Sequence, residues 1–218
     1  MAALHEVVIV LEYPLLMVFP ALLAFGGAYD LLTMTIPNRV SIALVVFFIA
    51  AAIAAGLPAQ TVMLHFAAGL AVLTAGIALF AAGGFGGGDA KLLAGAGLWI
   101  GFDHLLPFLI YVTLFGGLLA IAIAYFRKFP LIGTMAPDWA MRLHGRETGI
   151  PYGIAIASAA LTVFPKTPLF IAALMVHEGY SAADAIAAVS AARGRPVPET
   201  SAQHKWIADY ADWCRSNS

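Results

Sequence analysis

The sequence predicts an all-α polytopic membrane bundle of six transmembrane helices with a short helical C-terminal extension. Of its 218 residues, 62% are hydrophobic and only 11% charged, and mean hydropathy is +0.91. A soluble domain carries roughly a quarter of its residues as charges. The apolar residues are also gathered into long runs, with prolines, glycines and charges between them. A net charge of −1 gives no argument for nucleic-acid binding. The single cysteine, Cys214, excludes an intrachain disulfide and a zinc site built on cysteines.

The runs fall at 7–28, 39–57, 61–83, 90–102, 104–126 and 149–165. Four of them approach the ~20 residues that cross a hydrocarbon core. The first is expected to be a retained span: no Lys or Arg precedes it, and its apolar run is too long for a cleaved signal. The second follows Pro37-Asn38, with Asn38 the expected N-cap. The third runs into Gly83-Gly84-Phe85-Gly86-Gly87-Gly88, costly in a helix and tolerant of left-handed angles, so the chain should break there. The fourth, short, begins at Ala90-Lys91-Leu92-Leu93, below the membrane surface. The sixth is also short, with Pro151 near its start.

Charge placement orients such a bundle. With six spans, Arg39, Lys91, Arg127, Lys128, Arg142 and Arg146 share one side, whereas the N-terminal residues and the loops 57–60 and 102–104 carry no Lys or Arg. The positive-inside rule then puts the N-terminus outside and the basic side in the cytoplasm. The stretch with Arg127, Lys128, Arg142 and Arg146, broken by Pro130 and Pro137, reads as a topology signal able to touch anionic lipid.

Asp30 and Asp89 both fall on that cytoplasmic side, at the ends of apolar runs. An ionisable group at a membrane face is a functional candidate by default, with a partner to be named. Each Asp is the other's most plausible partner. Two carboxyls sharing a site do not both ionise easily, which suits water activation by one and carbonyl polarisation by the other. Irregular backbone at membrane depth persists only where protein buries it or a wet cavity adjoins it. The glycines before Asp89 therefore offer water and room for an extended peptide, and a helix starting after them favours the Asp89 charge. Lys91 reads equally as a group steadying a carboxylate and as a snorkelling interface anchor. Pro151-Tyr152-Gly153 reads as a kink that supports the site, with Tyr152 offering a hydroxyl to line it. Glu12 lies near the outer face, facing His65 at most, and is given no role. Trp99, Phe102 and Tyr111 are expected in an interfacial aromatic belt.

Gly86-Gly87-Gly88-Asp89 with Ala90-Lys91-Leu92-Leu93 resembles the Gly-x-Gly-Asp signature of type IV prepilin peptidases. Asp30-Leu31 with Ile36-Pro37-Asn38 resembles that family's first aspartate box. Thr148-Gly149-Ile150-Pro151-Tyr152-Gly153-Ile154-Ala155 resembles its third. The three boxes occur in order, within about residues 7–165. The resemblance implies a multi-pass aspartyl endopeptidase of the bacterial inner membrane, cutting the short basic leader from prepilins or pseudopilins at the cytoplasmic face. It implies Asp30 and Asp89 as the catalytic pair, supported by Gly86, Gly88, Lys91, Pro37, Asn38, Pro151, Tyr152 and Gly153, with no metal or organic cofactor. Substrate prepilin, membrane lipid and a second copy of the chain are the expected partners. Larger members carry a cysteine-rich zinc domain and N-methylate the new terminus. Those cysteines are missing here, so the likeness is to the compact branch serving Tad/Flp-type pili, without methyltransferase activity. Leu31, Leu32 and Thr33 stand where many members have basic residues, which bears on how the leader docks. Because that leader is itself basic, the 127–146 stretch is a poor candidate for binding it.

The peptidase domain is therefore expected over 1–168, with 169–218 a non-catalytic helical extension. In the extension, 181–192 is Ala-rich, Arg193-Gly194-Arg195-Pro196 breaks the helix, and a polar helix follows over 200–215. Leu174–Ser181 and Ala185–Val189 resemble the last helices of dual-specificity phosphatases. The Cys-x5-Arg loop that should precede them is missing and Cys214 lies beyond, so no phosphatase activity is expected. A small ion-coupled transporter, with two acids beside a broken helix, is an alternative reading. It would call for internal repeats and a midplane site, and the sequence offers neither. A non-catalytic scaffold for pilus assembly would keep the fold without needing both acids.

Overall fold

A computed structural model describes residues 2–54, 57–129, 137–145, 148–164, 172, 175–193, 197 and 201–216. Among these residues the chain is all-helical, with no strand. The helices are α1 (Ala2–Thr33), α2 (Asn38–Ala54), α3 (Ala59–Ala81), α4 (Gly87–Phe126), α5 (Asp138–His144), α6 (Tyr152–Val163), α7 (Ala182–Arg193) and α8 (Ser201–Ser216).

Among the described residues the apolar runs lie largely in helices, and the fourth and fifth are two arms of α4. At Gly101, φ is 68° and ψ 173°, a left-handed break that interrupts the helix. Were residues 85–116 one straight rod, their ends would stand about 45 Å apart. Yet Phe85 and Gly116 both meet the ring of Tyr152, so the chain turns back at Gly101. Among the described residues, Ala59–Ala81 and Gly87–Phe126 are the helices long and apolar enough by themselves to cross a membrane. Six separate transmembrane helices are thus coarser in fact: an all-helical bundle with two such helices among the described residues.

The surface fits a membrane. Met63 and Leu70 on α3 and Leu106, Ile110, Leu114 and Ile121 on the second arm of α4 are all exposed. A continuous apolar belt of this kind is unfavourable in water and acceptable against acyl chains. Inside, Phe19, Leu23, Leu44, Leu92, Phe108 and Ile156 are fully buried and join α1, α2, α4 and α6 into one core. Trp99 belongs to this core, contrary to the expected aromatic belt. It stacks on Phe19 at 5.0 Å and donates from Nε1 to the Leu44 carbonyl at 2.8 Å. Its indole finds a hydrogen-bond acceptor inside the bundle, so it gains nothing from the interface. Phe102 is exposed and Tyr111 half-buried.

Where helices must come close, side chains are small, as membrane packing requires. A Cβ on Gly27 of α1 would lie 3.0 Å from both the Ala157 Cβ and the Gly153 carbonyl of α6. On the first arm of α4, Ala90 sits 2.9 Å from where a Gly76 Cβ would be. His65 bonds the Leu98 carbonyl through Nδ1 at 2.7 Å. The side chain of Glu12 precedes the first described one, Met17, and lies outside those the structure describes.

The extension has its own small core of Val176, Ala185, Val189, Ile207 and Tyr210. Ser181 caps α7: its Oγ accepts the Asp184 N–H at 3.1 Å and donates to Asp184 Oδ2 at 2.7 Å. The boundary at 168 and residues 194–196 lie outside the described residues.

Gly27→Val should overpack the α1–α6 contact and cost about 1–3 kcal/mol. The measurement is the unfolding midpoint of the detergent-solubilised protein, expected to fall; an unchanged midpoint would contradict the close contact.

Candidate active site

Asp30 lies in the last turn of α1 at 5% exposure, the one buried charged side chain among the described residues. Its Oδ2 accepts the backbone N–H of Gly153 at 2.8 Å. That donor exists because of how α6 begins. Pro151 is fully buried and turns the chain tightly, with φ −72° and ψ 80° and the Tyr152 N–H on the Ile150 carbonyl at 2.8 Å. Pro151 thereby takes the N-cap position, and its ring has no oxygen to satisfy the first free N–H groups of α6. Asp30 supplies that oxygen from another helix, adding the favourable meeting of a carboxylate with a helix N-terminus. Gly153 is required for the approach: a Cβ there would sit 2.8 Å from the Asp30 Cβ and 2.9 Å from Oδ2.

Asp89 is reached through the glycine run. Gly83 closes α3 at φ 76°, with its N–H on Phe80 O (2.9 Å) and the Gly84 N–H on Leu79 O (3.1 Å), a Schellman ending. Gly86 is then the extended N-cap of α4. The helix starts at Gly87, three residues earlier than the sequence suggested, with Asp89 in its first turn, where the free N–H groups of a helix start favour a carboxylate. A Cβ on Gly86 would be 2.5 Å from Asp89 Oδ2, so only glycine fits.

The two acids lie close enough for the charge of Asp30 to act on Asp89. Side chains tie their surroundings together on both flanks. On one, the Phe85 ring lies 5.7 Å from that of Tyr152, beside Gly153. On the other, Gly88 packs against Ile36, whose Cβ is 3.2 Å from the position of a Gly88 Cβ. Lys91 donates from Nζ to Asn38 Oδ1 at 2.9 Å. Lys91 therefore bridges α4 to α2, and Asn38 is the first residue of α2, behind Pro37, with its side-chain oxygen engaged by Lys91.

Sequence reasoning missed Phe85, Ile36 and Met34. Met34 ends α1 in the left-handed region at φ 57°, with its N–H on the Asp30 carbonyl at 2.7 Å. Glycine or Asn is usual there, so a Met carries strain beside the site. No pattern in the sequence marks it. Among the described residues no group of three or more His, Cys, Asp or Glu side chains assembles into a possible metal site.

The family model of the type IV leader peptidase family matches residues 17–121, which include both aspartates. This segment, a little under half of the chain, is similar to the type IV leader peptidase family. The match supports a prepilin-type peptidase activity in general terms. No curated protein and no solved structure matched the chain.

Gly153→Ala should push Asp30 off its donor and lower any activity of the site by roughly a hundredfold, the scale expected for a misplacement near 1 Å. Peptide-cleavage rates of purified protein check this; a rate within a factor of two of wild type would contradict the packing.

Proposed function

We propose that this protein is a membrane aspartyl endopeptidase that removes the leader from prepilin-like substrates, with Asp30 and Asp89 as its catalytic pair. The observation that carries the reading is that two carboxylates from distant parts of the chain lie near enough for the charge of Asp30 to act on Asp89. Asp30 receives the backbone N–H of Gly153, and Asp89 lies against Gly86 at the start of α4. An oxygen of each is left to share a proton with the other. One carboxylate then takes a proton from water as it attacks the scissile carbonyl, while the protonated partner donates to that carbonyl oxygen. The diol intermediate collapses as the leaving amine gains a proton. No covalent enzyme intermediate forms.

Six membrane crossings, with the N-terminus outside and the acids in the cytoplasm, agree with the clustering of basic residues on the aspartate side. The acids would then meet a substrate before or during its export. Gly83 to Gly88, which carry no side chains except at Phe85, leave space for an extended peptide. The site-supporting residues are Gly86, Gly88, Pro37, Asn38, Lys91, Pro151, Tyr152 and Gly153. Placement of both acids at one end favours this reading over an ion-coupled transporter, whose site would lie near the midplane.

Asp30→Asn is an informative test because an Asn side chain still caps a helix N-terminus. The α6 contact survives while the titrating group is lost. Both Asp30→Asn and Asp89→Asn should abolish cleavage of a co-expressed prepilin, read as a gel shift, while the protein still accumulates in membranes. Normal processing by either variant would defeat the assignment. With one acid and one base required, the rate should trace a bell against pH, falling on both sides; a flat profile would count against a carboxyl pair. Deleting 170–218 should leave cleavage intact, and a folded but inactive truncation would give the extension a part in the reaction.

A further inference from the structure

Two arginines of the stretch that sets topology are engaged by backbone carbonyls close to the aspartates. Arg127, half-buried at the C-cap of α4, donates from Nε to Leu143 O at 2.8 Å. Its Nη2 reaches Thr148 O at 2.8 Å and Gly149 O at 3.3 Å. Arg142, on α5, donates from Nη2 to Leu32 O at 2.6 Å. These carbonyls belong to the parts that carry the site. Leu32 lies two residues past Asp30 in the same helical turn. Gly149 lies two residues before Pro151, whose turn delivers the Gly153 N–H. Thr148 adds to the tie, its single hydroxyl hydrogen shared between the Gly145 carbonyl, 2.5 Å from Oγ1, and that of Arg142.

Resting on the peptidase reading above, we infer that Arg127, acting with Arg142 through α5, is a positioning residue for the Asp30–Gly153 contact. The short helix α5 works as a strut. Arg142 ties it to the end of α1, and Arg127 ties its last turn to the chain leading into α6. The gap between α1 and α6 at the site end is thereby fixed from outside the core. A guanidinium suits this because its planar fork serves several acceptors at once. A lysine ammonium keeps the charge, and with it the topology signal, but cannot hold carbonyls of two segments in one plane. Carbonyls at a helix C-terminus also lack intrahelical donors and favour a cation, which describes Leu32 and Leu143.

The test compares Arg127→Lys, Arg127→Gln and Arg142→Lys with wild type in detergent micelles, using a synthetic prepilin-type peptide. Arg127→Lys should insert normally and lower kcat roughly ten- to a hundredfold while KM stays within a factor of two, since the substrate's contacts are untouched. Combined with Gly153→Ala, it should add less than a factor of two, because both changes break the same contact. Deuterium uptake across 148–156 should rise in Arg127→Lys, a readout that needs no activity. Wild-type kcat in both Lys variants, effects that multiply in the double variant, or unchanged uptake would overturn the inference. If wild type cleaves and Arg127→Lys matches it, the positioning role alone falls. If wild type fails to cleave, the peptidase reading falls, and uptake still decides whether Arg127 holds the segment.

Discussion

A carboxylate shut away from water must be given a hydrogen-bond donor, and this requirement organises the site end of the bundle. Asp30 is buried where α1 ends, and the donor it finds is the Gly153 N–H of α6. The need is mutual, because α6 starts behind a proline that cannot cap it. Neither helix end is satisfied without the other, and an unsatisfied polar group in apolar surroundings costs several kcal/mol. The small residues Gly27, Gly153 and Ala157 follow from that contact, since any larger side chain would hold α1 and α6 apart.

Asp89 is held differently. It is anchored by its own helix, in the first turn of α4, where its carboxylate lies against Gly86 at the N-cap. One acid is thus fixed by tertiary structure and the other by local structure. The glycine run accordingly does two jobs. Gly83 reverses the chain out of α3, and Gly86 clears the space that the Asp89 carboxylate occupies. The flanking contacts, Phe85 to Tyr152 and Lys91 to Asn38, join the two arrangements.

Much of this was legible in the sequence. Apolar runs gave helices, and charge sparsity made Asp30 and Asp89 stand out. The proline and glycine boxes marked where the chain turns. What stayed hidden depended on tertiary geometry. Gly101 looked like one apolar-run glycine among many, and its break became evident only because two distant residues share the Tyr152 ring. Trp99 has the composition of an interfacial aromatic, but its indole finds a carbonyl of α2 inside the core. The start of α4 was placed late because propensity counts against glycine, whereas the Asp89 carboxylate in the first turn favours a helix start there. Arg127 and Arg142 were read by charge alone, and charge says nothing of which carbonyls a guanidinium will reach.

In the proposed peptidase the side chains at positions 30 and 89 face each other across a narrow gap. The most direct measurement replaces Cys214 by Ser and both aspartates by Cys, then oxidises the protein in its native membrane and counts free thiols by mass spectrometry. The two thiols should disappear together into an intramolecular disulfide or a short bis-maleimide bridge. Two thiols that stay separately alkylated, with no bridge from even the short reagent, would contradict it.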